Sequence, residues 1–254
     1  MSEIKNEILY KYLLMLGDNS MILGHRLSEL CGHGPTLETD IALTNISLDL
    51  FGQVRNVFQY AAKLREKDAT EDTIAYLRNE RQHLNCLLVE QPNLDFAHVI
   101  ARQFLFDAFQ KLQLEEMVTS KDIQIAAIAT KSLKETKYHL RFSSEWCKRL
   151  GDGTDISHKK MQDAIDTLYP YSYELFEETD IEKKMSLNGV GIDLSAIKEK
   201  YYTLVNAVLA EATIKIPESP ARHANGKTGI HSEHLGFILS DFQSMQRSYP
   251  NMQW

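Results

Sequence analysis

The chain is short of the residues that interrupt regular structure. Its 254 residues include 12 glycines and 6 prolines, about 7% of the total against roughly 12% in ordinary usage. So few breakers imply long uninterrupted elements, and elements of that length are helices. Cysteine is also scarce. Cys31, Cys86 and Cys147 form no metal-type spacing and leave an odd number, which excludes a disulfide framework and points to a reducing cytoplasm. No apolar run approaches the 18 or so residues that span a bilayer. The N-terminal MSEIKNEILYKYLLMLGDNS is punctuated by charges and reads as no signal peptide. There is no basic excess: 28 Lys and Arg face 35 Asp and Glu, a net charge of -7. A nucleic-acid surface or an anionic membrane would call for the opposite balance. Glycine-rich phosphate loops, the nucleophile elbow, C-x-x-C and H-E-x-x-H are all missing.

What remains is an all-α pattern in an ordinary globular composition, 43% apolar and 25% charged. Apolar spacing predicts a helix over residues 4–30 with a candidate break at Gly17-Asp18-Asn19, then CGHGP as a stop. Further helices are predicted over 36–64, 71–90, 94–118 and 122–150, separated by REKDATED, Gln91-Pro92-Asn93 and TSKD. A looser C-terminal third carries helices at 157–178, 193–214 and 232–247, with PESPARHANGKTG as a loop. The expected architecture is a single domain over 1–254. It is an up-down helical bundle with a four-helix core at about 36–150 and additional helices over 157–254.

The chemistry-bearing residues are acids on the four core helices: Asp49 in LTNISLDLFGQV, Glu80 with His83 in E-R-Q-H, Asp107 in QFLFDAFQ, and Glu135 in KSLKETKYHLRF. In an up-down bundle, residues at one height on adjacent helices straddle their turn symmetrically. The midpoints of 49 and 80, of 80 and 107, and of 107 and 135 all fall at predicted turns. The four acids are therefore expected in one layer, facing inward. That is the carboxylate pattern of a ferritin-like di-iron site, an acid from each of two helices and Glu-x-x-His from each of the other two.

The pattern is imperfect. Two positions carry Asp rather than Glu, and Tyr138 stands where the second histidine is required, with His139 turned about 100° away. Glu80 and His83 are the remaining candidates for a single metal. Without metal, buried acids need protons or cations. Lys111, one turn beyond Asp107, and Lys131, one turn before Glu135, are the expected compensating cations. The His231, Glu233 and His234 cluster at a helix start is assigned to capping or interface contact, and Tyr169, Tyr171, Tyr173 and Phe176 to packing.

Several blocks carry a specific likeness: LGDNSMILGHRLSELCGHGPTLETDIALTNISLDLFGQVRN, LRNERQHLNCLLVEQPN, KETKYHLRFSSEW with GDGTD, and HSEHLGFILSDFQSMQRSYPNMQW. They resemble the C subunits (PaaC type) of the multicomponent phenylacetyl-CoA oxygenase, over nearly the whole chain. The resemblance implies a cytoplasmic, ferritin-like subunit of the complex that epoxidises the ring of phenylacetyl-CoA during aerobic phenylacetate degradation. In that family the related A subunit holds the di-iron centre, and a separate flavin and iron-sulfur reductase delivers electrons. The C subunit is a structural partner of the A subunit. No catalytic residue and no cofactor are expected in this chain, and neither a nucleic acid nor a membrane is expected as a partner. The competing readings are a catalytic di-iron or iron-binding subunit in its own right, and an iron-storage protein.

Overall fold

In the computed structural model, residues 3–65, 68–218 and 225–249 are described. The fold is all-α and compatible with a ferritin-like helical bundle, with no strand among the described residues. Among the described residues ten α-helices follow one another: α1 Glu3–Ser28, α2 Leu37–Ala62, α3 Glu71–Tyr76, α4 Leu87–Glu90, α5 Phe96–Met117, α6 Ile123–Gly151, α7 Asp155–Leu168, α8 Asp180–Leu187, α9 Leu194–Glu211 and α10 Glu233–Ser248. Short 3-10 turns occupy Glu80–Gln82, Tyr169–Phe176 and Gly226–Thr228. No helix among the described residues is long and apolar enough to cross a membrane. The chain divides into two compact units, 1–33 with 38–90 and 225–254, and 34–37 with 91–224.

In the first unit α1 runs unbroken through Gly17-Asp18-Asn19, where the sequence suggests a break. Gly17 is there for packing. A Cβ added to it would fall 2.2 Å from the Phe58 ring of α2. One turn pair further along α1, the Gly24 carbonyl accepts a 2.8 Å hydrogen bond from Ser47 Oγ of α2. The inner stripe of α2 repeats at helical spacing through Leu43, Ile46, Leu50, Val54, Val57 and Ala61.

The helix predicted over 71–90 does not form as one element. Thr70 caps α3 as expected, with a reciprocal box to Thr73, but α3 ends at Tyr76. The Arg78 side chain turns inward, donates to Asp18 of α1 and reaches back to the Ile74 carbonyl. The Leu84 amide donates to Asp18 Oδ2 at 2.8 Å, and the Cys86 amide to Asn19 Oδ1 at 2.8 Å. Backbone groups that would have continued the helix are thus taken by side chains of α1. The result is an extended strap over 77–86 before the single turn of α4. Among the described residues the helices longer than twenty residues are α1, α2, α5 and α6.

In the second unit α5 and α6 pack as an antiparallel pair, joined by the cap of Asp122 on the Gln124 and Ile125 amides. Helix α5 is buried continuously from Ala97 to Gln110, the signature of a helix covered on every side. The predicted helix at 157–178 stops at Leu168 and continues as the 3-10 turn Tyr169–Phe176, whose Pro170 lacks the amide an α-helix needs. The rings of this turn pack on α5 and α9: Phe176 lies 5.7 Å from Phe109 and 5.0 Å from Tyr201. Helix α8 was not foreseen from sequence. It is only eight residues long, too short for its periodicity to be read.

Candidate functional site

The acid most deeply enclosed is Asp107, on α5 with no exposed surface. Its Oδ1 accepts from Gln103 Nε2 at 2.6 Å and its Oδ2 lies 2.8 Å from Ser143 Oγ of α6. Burial pushes the carboxyl well above the usual carboxylate range, and the Ser143 and Gln103 hydrogen bonds only partly oppose this. Burial thus favours the protonated form of Asp107. Ser143 Oγ also lies 3.3 Å from the Leu140 carbonyl.

Helix α6 meets this position with a seam of mostly small and polar residues, Ile125, Ala129, Ser132, Thr136, His139, Ser143 and Cys147, spaced by three or four. That register corrects the sequence expectation. His139 is the residue that points in, fully buried, whereas Tyr138 is 52% exposed. Glu135 is half-buried, one position off the seam. A scan for charged residues picked the neighbouring face because the true seam advertises itself by small side chains.

The expected cations are placed elsewhere. Lys131 is exposed on α6. Lys111 pairs with Glu115 at 3.0 Å along the outer part of α5. Asp107 is thus held by two hydrogen bonds and by neither lysine, and the expected lysine compensation is corrected on this point. Asp49 is half-buried on α2. Glu80 is exposed in its 3-10 turn, while His83 is fully buried beyond that turn in extended backbone. The shared helix face that would let E-x-x-H hold one metal does not exist, because the helix ended at Tyr76.

The donor set does not fit a di-iron centre. Among the described residues no three His, Cys, Asp or Glu side chains are grouped so as to hold a metal ion. The innermost acid is engaged by an amide and a hydroxyl.

A second polar cluster, in the first unit, was missed as a whole by sequence reasoning. Asp18 on α1 and Arg78 on the strap form a buried ion pair. His83 Nδ1 lies 3.8 Å from Asp18, and burial, against the pull of Asp18, lowers the His83 pKa to about 4, so the ring is neutral. Beside it, His231 Nε2 lies 2.8 Å from the His83 carbonyl and Nδ1 lies 3.1 Å from Glu90 Oε2. A carbonyl only accepts, so Nε2 carries a proton. Nδ1 carries one too if it donates to the carboxylate. Burial opposes the charge on His231, but the Glu90 carboxylate outweighs it, and its pKa is raised. The Glu90 carboxylate also accepts from the Ser232 amide at 2.8 Å and from Asn85 Nδ2 at 3.2 Å.

Together with Gln243 and Arg247 of α10, which donate to the Arg78 carbonyl at 3.1 and 2.9 Å, these bonds fasten the C-terminal segment to the strap. His231 was visible in GIHSEHLGF, but it is engaged with Glu90 and the His83 carbonyl rather than in capping. Asp18, Arg78 and Glu90 carried no local signal, because their partners lie sixty or more residues away or across an extended turn. The arrangement is a set of structural ties.

Comparison with known proteins agrees with the sequence resemblance. A family model described as phenylacetic acid catabolic protein matches residues 1–254. The C subunit of the 1,2-phenylacetyl-CoA epoxidase of Escherichia coli (strain K12) is 47% identical over 243 residues, covering 96% of this chain and 98% of that protein. The chain belongs to the phenylacetic acid catabolic protein family.

Proposed function

We propose that this protein is the structural, non-catalytic C subunit of a cytoplasmic phenylacetyl-CoA 1,2-epoxidase. In this reading it pairs with and stabilises a di-iron catalytic A subunit that receives electrons from a separate reductase. The observation that carries the reading is the state of Asp107. The acid at the centre of the helix pair is a fully buried core group whose two oxygens are engaged by Gln103 and Ser143, and iron could take that carboxylate only at the expense of both hydrogen bonds. Similarity across almost the full length to a protein named as the C subunit of this epoxidase supports the complex and the substrate class. The outer face of α2 supports the pairing. Leu37, Ile41 and Leu48 lie along one stripe at helical spacing and are 71%, 51% and 61% exposed, which suits burial against another chain.

The test is co-expression with a di-iron epoxidase subunit of the same family. The two chains should co-purify, iron should follow the partner alone, and the purified chain should show no epoxidation with phenylacetyl-CoA and a reductase. About two irons per chain, or turnover without the partner, would overturn the reading.

A further inference from the structure

The first unit holds a cleft of about 440 Å³ between α1, α2, α3 and α10, in the size range of small-molecule sites. Neither polar cluster described above lines it. Its interior is aromatic: Phe51 and Phe58 come from α2, Tyr76 from α3 and Phe242 from α10. His25 of α1 is stacked on Phe242, with ring centroids 4.1 Å apart and planes 10° from parallel, and meets the edge of Phe51 at 4.9 Å. Burial pushes His25 down to about 4, so the ring is neutral at pH 7. It makes no hydrogen bond through either nitrogen among the described residues. A neutral imidazole in this setting presents one donor and one acceptor to whatever enters.

The polar lining has a sign. Arg55 spends its charge on Glu71, 3.8 Å away, and Glu71 also accepts from Gln59 at 2.8 Å. Asp72, the remaining carboxylate of the lining, is exposed and has neither an ion pair nor a side-chain hydrogen bond among the described residues. The cleft therefore combines aromatic walls, which attract a ring and a cation alike, with one uncompensated negative charge.

We propose that this cleft is a binding site for a small arylalkylammonium ligand, a flat aromatic ring carrying a protonated amine. The ring lies among Phe51, Phe58, Tyr76 and Phe242, the imidazole of His25 offers a hydrogen bond to its edge, and the ammonium group faces Asp72.

The test uses the full-length protein and two probes of nearly one shape and opposite charge, tryptamine and indole-3-acetate, titrated by calorimetry and by saturation-transfer NMR. Tryptamine should bind with a Kd of about 1 mM or tighter, as a ligand of its size allows. Indole-3-acetate should bind roughly five- to tenfold more weakly, the effect of exchanging an attraction for a repulsion at a partly exposed carboxylate. Asp72→Asn should bring the two probes to within about twofold of each other. Ala75→Trp, which fills the cleft from α3, should abolish saturable binding of both. If that variant does not fold, the charge comparison with Asp72→Asn decides alone. The proposal is overturned if neither probe saturates, if indole-3-acetate binds as tightly as tryptamine, or if a folded Ala75→Trp variant binds unchanged.

Discussion

The two units bury polar groups by opposite means. In the first, charge is matched: Asp18 against Arg78, and Glu90 against His231, whose pKa it raises, with backbone amides filling the remaining acceptor positions. In the second, burial disfavours the charge. The Asp107 carboxyl is pushed above the usual carboxylate range and is met by Gln103 and Ser143. The two solutions differ in what they ask of their surroundings. A matched pair loses stability steeply if either partner is deleted, since the survivor stays buried without compensation. A protonated acid in a hydrogen-bonded niche tolerates an uncharged isostere. The matched pairs also join segments distant in sequence, the strap and the C-terminal helix, whereas Asp107 joins two helices that are neighbours in the chain.

The comparison can be broken most forcefully at Arg78. Arg78→Met strands Asp18 and frees the strap, and should lower stability by about 3–5 kcal/mol in chemical denaturation. A loss no larger than that of an average surface substitution would show that the pair is not a tie. Removing Glu90's charge is next. Glu90→Gln should cost about 2–3 kcal/mol, because His231 then loses its counter-ion while remaining buried.

This effect has a pH signature. The folded-state pKa of His231 is raised, so its contribution is fully present below its unfolded value of about 6.5 and fades as pH rises through the folded value. Parent and Glu90→Gln should therefore converge above neutrality. A gap that is flat from about pH 6 to 9 would assign the bond to a neutral imidazole.

Asp107 titrates in the other sense. Its raised pKa makes ionisation more favourable in the unfolded chain, so its penalty is absent below about pH 3.9 and grows as pH rises. Asp107→Asn, which cannot ionise and can still reach Ser143, should be within about 1 kcal/mol of the parent or better at pH 7. A large loss would mean that the carboxyl is charged and serves a partner. The smallest effect belongs to Lys131→Met. The side chain is exposed, so the melting temperature should not move. A clear drop would restore the lysine to the buried layer.

The particular residues show which information was local. Thr70 capping α3 and Asp122 capping α6 act within a few residues, and the predicted starts at 71 and 122 lie within one position of the observed ones. Asp107, flanked by phenylalanines in QFLFDAFQ, is fully buried, whereas Asp49, the charge most out of place in its apolar stretch, is only half-buried. The neighbouring helix α6 was harder. Tyr138 and His139 differ by one step of about 100°, and only the way α6 lies on α5 selects His139 for the interior. Midpoint arithmetic could put acids at one height, but height without helix rotation does not aim a side chain. The third predicted helix failed for a non-local reason: Asp18 and Asn19 accept amide protons sixty-odd residues away, and no periodicity records that competition.

Sequence alone determined that the chain is all-α, where most of its long helices begin and end, and which family it belongs to, because capping, breaker scarcity and extended sequence identity are properties of neighbouring residues or of the string itself. Tertiary structure alone decided that 77–86 is a strap, that His231 and Glu90 form a buried pair, and that Asp107 is enclosed by Gln103 and Ser143. Each of these depends on desolvation and on partners that only folding brings within hydrogen-bonding distance.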